Sequence, residues 1–428
     1  MTGTAIQSVR GRQILDSRGR PTVEAEVTLE GGARAVASAP AGASRGSAEA
    51  FELRDADPAH FDGRGVRTAA NNVGGELGRA LIGHDARDQA GVDALMREID
   101  GTPQLSRLGG NAILAVSIAV ARAAAAALGQ PLHLWLAELA GSTWPSMPMP
   151  MVNILSGGLH AGRGMDVQDF LVIPIGASSY GEALEWACRV REAAARLCSE
   201  RGLPTLLADE GGLSPGFADS TEALDLMVRA IESAGLHPGD NIAIALDIAS
   251  SSLADKTGRY QFARADRRLT SAEMIELLAD WANQYPIVSI EDGLHEEDWA
   301  HWPTLTDRLG HIQLIGDDLF ATQPGRIGRG ISEGAANAAL IKINQNGTLT
   351  GTLEAMSIAR AGGFATVVSA RSGETEDSFI ADLAVGLQTG QIKTGSLSRT
   401  DRICKYNQLL RIEEELGRKA VYESPFAK

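Results

Sequence analysis

Cysteine is scarce: Cys188, Cys198 and Cys404 are the only three in 428 residues. On one helix the first two would lie about 15 Å apart, too far to bridge, so no disulfide framework is expected and a reducing cytoplasm is the natural compartment. Positive charge is also short. With 39 basic against 54 acidic residues the formal charge is -15, which argues against nucleic acid or an anionic membrane surface as the main partner. The opening MTGTAIQSVRGRQ has no basic stretch leading into an apolar one, so it does not read as a secretory signal. No long apolar run is free of charge: the best, Ala112 to Leu128, is alanine-rich and broken by Arg122. It reads as a buried helix with Asn111 as N-cap, Gly129 past its end and Pro131 beyond. Repeats, charged tails and other low-complexity tracts are missing as well.

What is present is the composition of a globular protein, 44% hydrophobic and 22% charged. The length suits a barrel of about 250 to 300 residues beside a smaller domain. Residues 1–140 show alternating segments around Ile14 and from Thr22 to Leu29, turned by Asp16–Pro21 and followed by helical stretches, the pattern of a small α+β domain. Gly141–Pro150 is too proline-rich for a helix and marks the expected boundary, with the barrel in 141–428. Thr270 with Glu273, and Asp219 with Glu222, have capping-box spacing.

Within that second part Asp247, Glu291, Asp317, Lys342 and Lys393 each sit at or beside the end of a short apolar run: IAIALD, PIVSIED, IQLIGDD, AALIKIN and GQIKTG. Helix-patterned segments separate the runs, so consecutive strands are expected to be parallel and joined by crossovers. Every strand then delivers its last residues to one rim, the layout of a (β/α)₈ barrel active site. A single acidic pair after a strand is usually a solvated turn, but five such charges on one rim are not. The three carboxylates are hard oxygen donors with no Cys or His cluster beside them, which favours Mg²⁺ over zinc or copper. Simple ion pairing to the lysines is the alternative. Lys342 would enter the barrel mouth, where metal charge and burial could lower its pKa enough for it to act as a base; a counter-ion role is the plainer reading. Lys393 could take either part, and one of the two lysines should bind a substrate carboxylate.

Further polar positions flank glycines. Asp209 and Glu210 precede Gly211-Gly212, and Ser156-Gly-Gly-Leu-His160-Ala-Gly162 leads into Asp166–Phe170. Turn formation explains these glycines nearly as well as close approach to a ligand. Arg371-Ser372-Gly-Glu374 after Thr366–Ala370 would suit a phosphate cradle, or a local Arg–Glu pair. Pro40–Gly46 is small and flexible enough for a closing lid.

Taken together, DSRGRPTVE, GGLHAG, ADEGG, IALDIASS, SIED, GDDL, IKINQNGT, RSGETED, GQIKTG and NQLLRIEEELG resemble enolases along essentially the whole chain. The resemblance implies an enolase-type barrel with a small α+β N-terminal domain, assembled as a homodimer and eliminating water from a small phosphorylated or phosphonylated acid. Residue by residue, it makes Asp247, Glu291 and Asp317 ligands of one Mg²⁺, with a second Mg²⁺ arriving with substrate. It makes Lys342 the base and Glu210 the general acid, with Asp169 relaying a proton to it. His160, Gln168, Arg371, Ser372 and Lys393 become substrate-binding positions.

Three positions depart from the family. Its lid reads SGAST where this chain has Ala41-Gly-Ala-Ser-Arg45, which on this reading removes a hydroxyl ligand of the second Mg²⁺ and adds a cation that could contact substrate. Its glutamate is Asp169 here, one methylene shorter, and its SHRSGET is Ser369-Ala370-Arg371-Ser-Gly-Glu-Thr375, so that a histidine is gone and its volume vacated. The expectation is a specialised relative acting on a bulkier or more anionic substrate, such as a carboxyphosphono-glycerate of phosphonate biosynthesis. An ordinary enolase converting 2-phosphoglycerate to phosphoenolpyruvate is the alternative. A non-catalytic binding protein on the same scaffold is a third reading, disfavoured because an idle buried charge array costs stability.

Overall fold

The computed structural model describes residues 3–43, 46–142 and 144–426. It begins with a three-stranded antiparallel sheet, β1 (Ile6–Leu15), β2 (Pro21–Leu29) and β3 (Arg34–Ser38), the last of which the alternation in the sequence had not suggested. Asp16 makes the first turn by accepting hydrogen bonds from the backbone N–H of both Arg18 and Arg20. The helix Gly110–Leu128 packs across β2 and β3, most of its residues buried. It is the one helix among the described residues long and apolar enough to cross a membrane, and it is a core helix here. Gly129 ends it in the left-handed region (φ 63°) as expected, but its N-cap is Gly109. Asn111 lies inside the helix and bonds instead to both backbone groups of Leu53.

The rest is a closed barrel of β4 (Met149–Ser156), β5 (Asp169–Ile173), β6 (Ala243–Asp247), β9 (Ile287–Glu291), β10 (Gln313–Gly316), β11 (Ala338–Ile341), β12 (Ala365–Ser369) and β13 (Gly390–Gly395), paired in that order around the ring. A two-stranded hairpin, β7 (Tyr260–Phe262) with β8 (Arg267–Leu269), stands outside it. The barrel's interior is filled by apolar side chains such as Met149, Met151, Leu171, Ile315, Leu340 and Val367, so the ring is a packed core and only its rim is open to chemistry.

The all-parallel expectation needs correction. β5 runs antiparallel to both β4 and β6, and every other neighbouring pair is parallel. Between β4 and β5 the chain has no crossover helix, only the short segment Gly157–Gln168 with a single 3₁₀ turn, and so short a link returns the chain in the opposite sense. The reversal has a chemical result. Asp169, the first residue of β5, pairs with Ser156 and with Asp247 at the ends of its neighbours and so joins the rim that the other strands reach with their last residues.

Helix starts follow local chemistry. Thr270 and Glu273 form the anticipated capping box. Asp219 caps its helix through the backbone N–H of Thr221, without the reciprocal bond from Glu222. All three cysteines are free.

Candidate active site

The rim surrounds a cavity of about 260 Å³. Asp247 closes β6, Glu291 closes β9, Asp317 and Lys342 follow β10 and β11 directly, and Lys393 projects from β13. The cavity is lined by Asp247, Asp317, Lys342 and Lys393 from this set, by His160, Gln168 and Glu210, and by Ala370, Arg371 and Ser372 after β12. Glu291 and Asp169 lie behind its wall, each about 1% exposed. Arg45 falls outside the described residues.

The carboxylates and lysines of the rim pair with one another. Lys393 Nζ donates to Asp247 Oδ2 and Glu291 Oε2, both at 2.7 Å, and Lys342 Nζ donates to Asp317 Oδ2. Burial opposes ionisation of all these groups. For Asp247 and Asp317 the lysines outweigh it and hold both below the usual carboxylate range, whereas Glu291 is pushed well above that range by burial and by Asp247. The same pairs raise Lys342 and Lys393 above the ordinary lysine value, against burial. Asp317 stabilises the Lys342 proton for as long as the two are paired; the expected lowering invokes metal charge in addition.

The donor set fits a hard divalent cation. Asp247, Glu291 and Asp317 stand on three consecutive strands of the ring, offer oxygen only, and include a buried Glu291 Oε1 with no partner among the described residues. Gln168 Nε2 donates to Asp247 Oδ2 at 3.1 Å and orients it. The tightest acidic group is a different one, Asp292, Asp317 and Asp318, whose oxygens lie within 4.8 Å of one another. Asp292 there accepts the backbone N–H of both neighbours, and Asp318 is pushed up to about 7 by burial and by Asp317.

His160, Asp169 and Glu210 form the second group, again within 4.8 Å. His160 Nδ1 is 3.5 Å from Glu210 Oε1, and burial depresses the imidazole's pKa despite that carboxylate. Burial and the neighbouring Glu210 push Asp169 well above the usual range. Burial acts the same way on Glu210, but His160, Arg402, Lys393 and Lys342 outweigh it and hold Glu210 low. Asn153 Nδ2 and Ser156 Oγ both donate to Asp169 Oδ1.

The Arg371 guanidinium does not pair with the local glutamate. Its NH1 donates to Glu49 Oε2 at 2.9 Å, from the N-terminal part of the chain, and to Asn344 Oδ1 at 3.1 Å, while Glu374 is bound by Lys405 and, through its Oε1, by the Arg371 backbone N–H at 2.9 Å. Ser372 is fixed by Arg18, whose NH1 donates to its hydroxyl at 3.3 Å, and by Arg402, which donates to its carbonyl at 2.7 Å. Arg18 also holds the Ala41 and Gly42 carbonyls. Ala41 itself is fully buried in a two-way backbone bridge with Gly373 (2.8 and 2.9 Å) and does not line the cavity; Ala43 does. Position 41 is thus part of a seam between loop and barrel. Sequence reasoning missed Glu49, Arg18 and Arg402, whose partners are remote along the chain. It also missed Ser251, Ser252 and His295, which line the cavity; their adjacency to IALD and SIED was the available signal.

A closed barrel whose strand ends bring buried carboxylates and lysines to one cavity is an acid–base enzyme of the barrel class. The chain belongs to the enolase family: the enolase N-terminal domain matches residues 6–136, and the enolase C-terminal TIM barrel domain matches residues 145–427. Members of that family are Mg²⁺-using lyases, and the acidic groups described above could hold such an ion.

Proposed function

We propose that the chain is a hydro-lyase that removes water from a 2-phosphoglycerate-like acid carrying an extra substituent on phosphorus, such as a carboxyphosphono group, to give an enolpyruvate product. The observation that carries this reading is Ala370. It lines the cavity between the end of β12 and Arg371, so the side chain of this position takes up only a methyl group's volume beside the proposed phosphate cradle.

Asp247, Glu291 and Asp317 would hold Mg²⁺, with a second ion entering with substrate, and the bound metal would supply positive charge where negative charge develops on the substrate carboxylate. Lys342 takes the proton beside that carboxylate. Because Asp317 stabilises its ammonium form, Lys342 becomes a base only when Asp317 is engaged elsewhere. Glu210 protonates the leaving hydroxyl, with Asp169 relaying the proton to it. Arg371 and Ser372 hold the phosphorus oxygens, His160 and Gln168 border the substrate, and Lys393 holds its carboxylate. The working unit is a homodimer in the cytoplasm, its assembly testable by sedimentation.

Purified protein with Mg²⁺ is assayed for enolpyruvate absorbance on 2-phosphoglycerate and on its carboxyphosphono counterpart. A higher kcat/KM on the latter supports the proposal. Robust turnover of 2-phosphoglycerate in preference to it replaces the proposal by ordinary enolase activity, and turnover of neither makes the chain a binding protein.

A further inference from the structure

The loops after β6 and β9 form a wall of the cavity that the proposed mechanism does not use. Ser252 and His295 both line it. In the closed ring β6 and β9 are neighbours and lie across the barrel from β12 and β13, which carry Arg371, Ser372 and Lys393. A ligand anchored on that side therefore presents its far end to Ser252 and His295.

Both residues offer donors. His295 Nδ1 accepts the backbone N–H of Glu297 at 3.0 Å; a ring nitrogen that accepts carries no proton, so the proton is on Nε2. Neither Nε2 nor the Ser252 hydroxyl has a hydrogen-bond partner among the described residues. The wall is also rigid. His295 N–H donates to the Tyr260 hydroxyl at 3.0 Å, and Glu296 N–H donates to Ser251 Oγ at 3.0 Å, tying the β9 loop to the β6 loop. Glu296 and Asp318 also line the cavity, and one Glu296 carboxylate oxygen is occupied by Ser47, accepting from its N and Oγ at 3.3 and 3.4 Å.

We propose that His295 Nε2 and the Ser252 hydroxyl recognise an oxygen-rich anionic substituent at the far end of the substrate and so set specificity. This rests on the functional reading above, with the carboxylate on phosphorus extending from the Arg371–Ser372 cradle past Ala370 and across the cavity to this wall. Hydrogen bonds to a charged group are strong enough for the pair to discriminate by tenfold or more, roughly.

Binding is the test, because it is read independently of turnover. Calorimetry on the Mg²⁺-loaded protein compares phosphonoformate, which carries a carboxylate on phosphorus, with inorganic phosphate. Wild type should bind phosphonoformate about tenfold tighter. His295→Ala should abolish that preference, His295→Gln, which keeps a side-chain N–H, should retain most of it, and Ser252→Ala should reduce it. Equal binding of the two probes by wild type, or an undiminished preference in a folded His295→Ala protein, overturns the assignment. Failure of the functional reading shows separately, as preferred turnover of unsubstituted 2-phosphoglycerate.

Discussion

The two flanks of the cavity are held together by different forces. On the β6–β9–β10 side, Asp247, Glu291 and Asp317 are buried with Lys393 and Lys342 as their cations. Removing either lysine leaves buried carboxylate charge uncompensated in low dielectric, which costs about 3–5 kcal/mol. On the β12 side Arg371–Glu49 and Lys405–Glu374 are buried ion pairs as well, but Ala370 and Ala41 beside them contribute only volume, and their seam is backbone paired to backbone. Electrostatic coupling makes the first flank intolerant of single changes. The alanines of the second can be changed one residue at a time.

The sharpest way to break the contrast is Lys342→Ala. It should lower kcat by about 10³- to 10⁴-fold and abolish solvent exchange of the substrate C2 proton in D₂O, followed by NMR. Persistent exchange would remove Lys342 as the base and reduce the charged flank to scaffolding. Next in size, Lys393→Met should destabilise the metal-free protein by about 3–5 kcal/mol in denaturant titrations. Saturating Mg²⁺ should recover much of that loss, because a cation then offsets the exposed carboxylate pair. A loss that is the same with and without Mg²⁺ would mean that metal and lysine charge do not share these ligands.

On the other flank, Ala370→His with Asp169→Glu should shift the kcat/KM ratio toward 2-phosphoglycerate by about tenfold, the scale of a few lost or gained contacts. An unchanged ratio would show that the vacated volume is not what selects substrate. Smallest of all, Ala41→Ser should leave that ratio where it was, since position 41 is sealed against Gly373 and does not line the cavity. A shift on this change alone would place position 41 in the site after all.

Legibility in the sequence followed the range of the interaction. The barrel could be read because each apolar run and the charge at its end are neighbours in the chain, as in IALD ending at Asp247 or AALI followed by Lys342. The capping box at Thr270 and the glycine ending the Ala-rich helix are likewise local. Asn111 misled because its side chain found Leu53 instead of a helix end. The direction of β5 was hidden because an apolar run carries no arrow, and only the missing crossover before Asp169 betrays it. The partner of Arg371 could not be guessed. Glu374 is three residues away and Glu49 is 322 away, yet the fold gives the guanidinium to Glu49.

The amino-acid order by itself determined the barrel class, the rim that carries the chemistry and the hard-oxygen character of the ligands, because period, run length and strand-end position are properties of a few adjacent residues. Tertiary structure alone decided which charges meet. It set Lys393 between two carboxylates, brought Asp169 and Glu210 together beside His160, turned Ala41 into a seam, and brought Ser252 and His295 to the cavity. Burial and distance set the energy of every one of those contacts, and neither quantity exists until the chain has closed its ring.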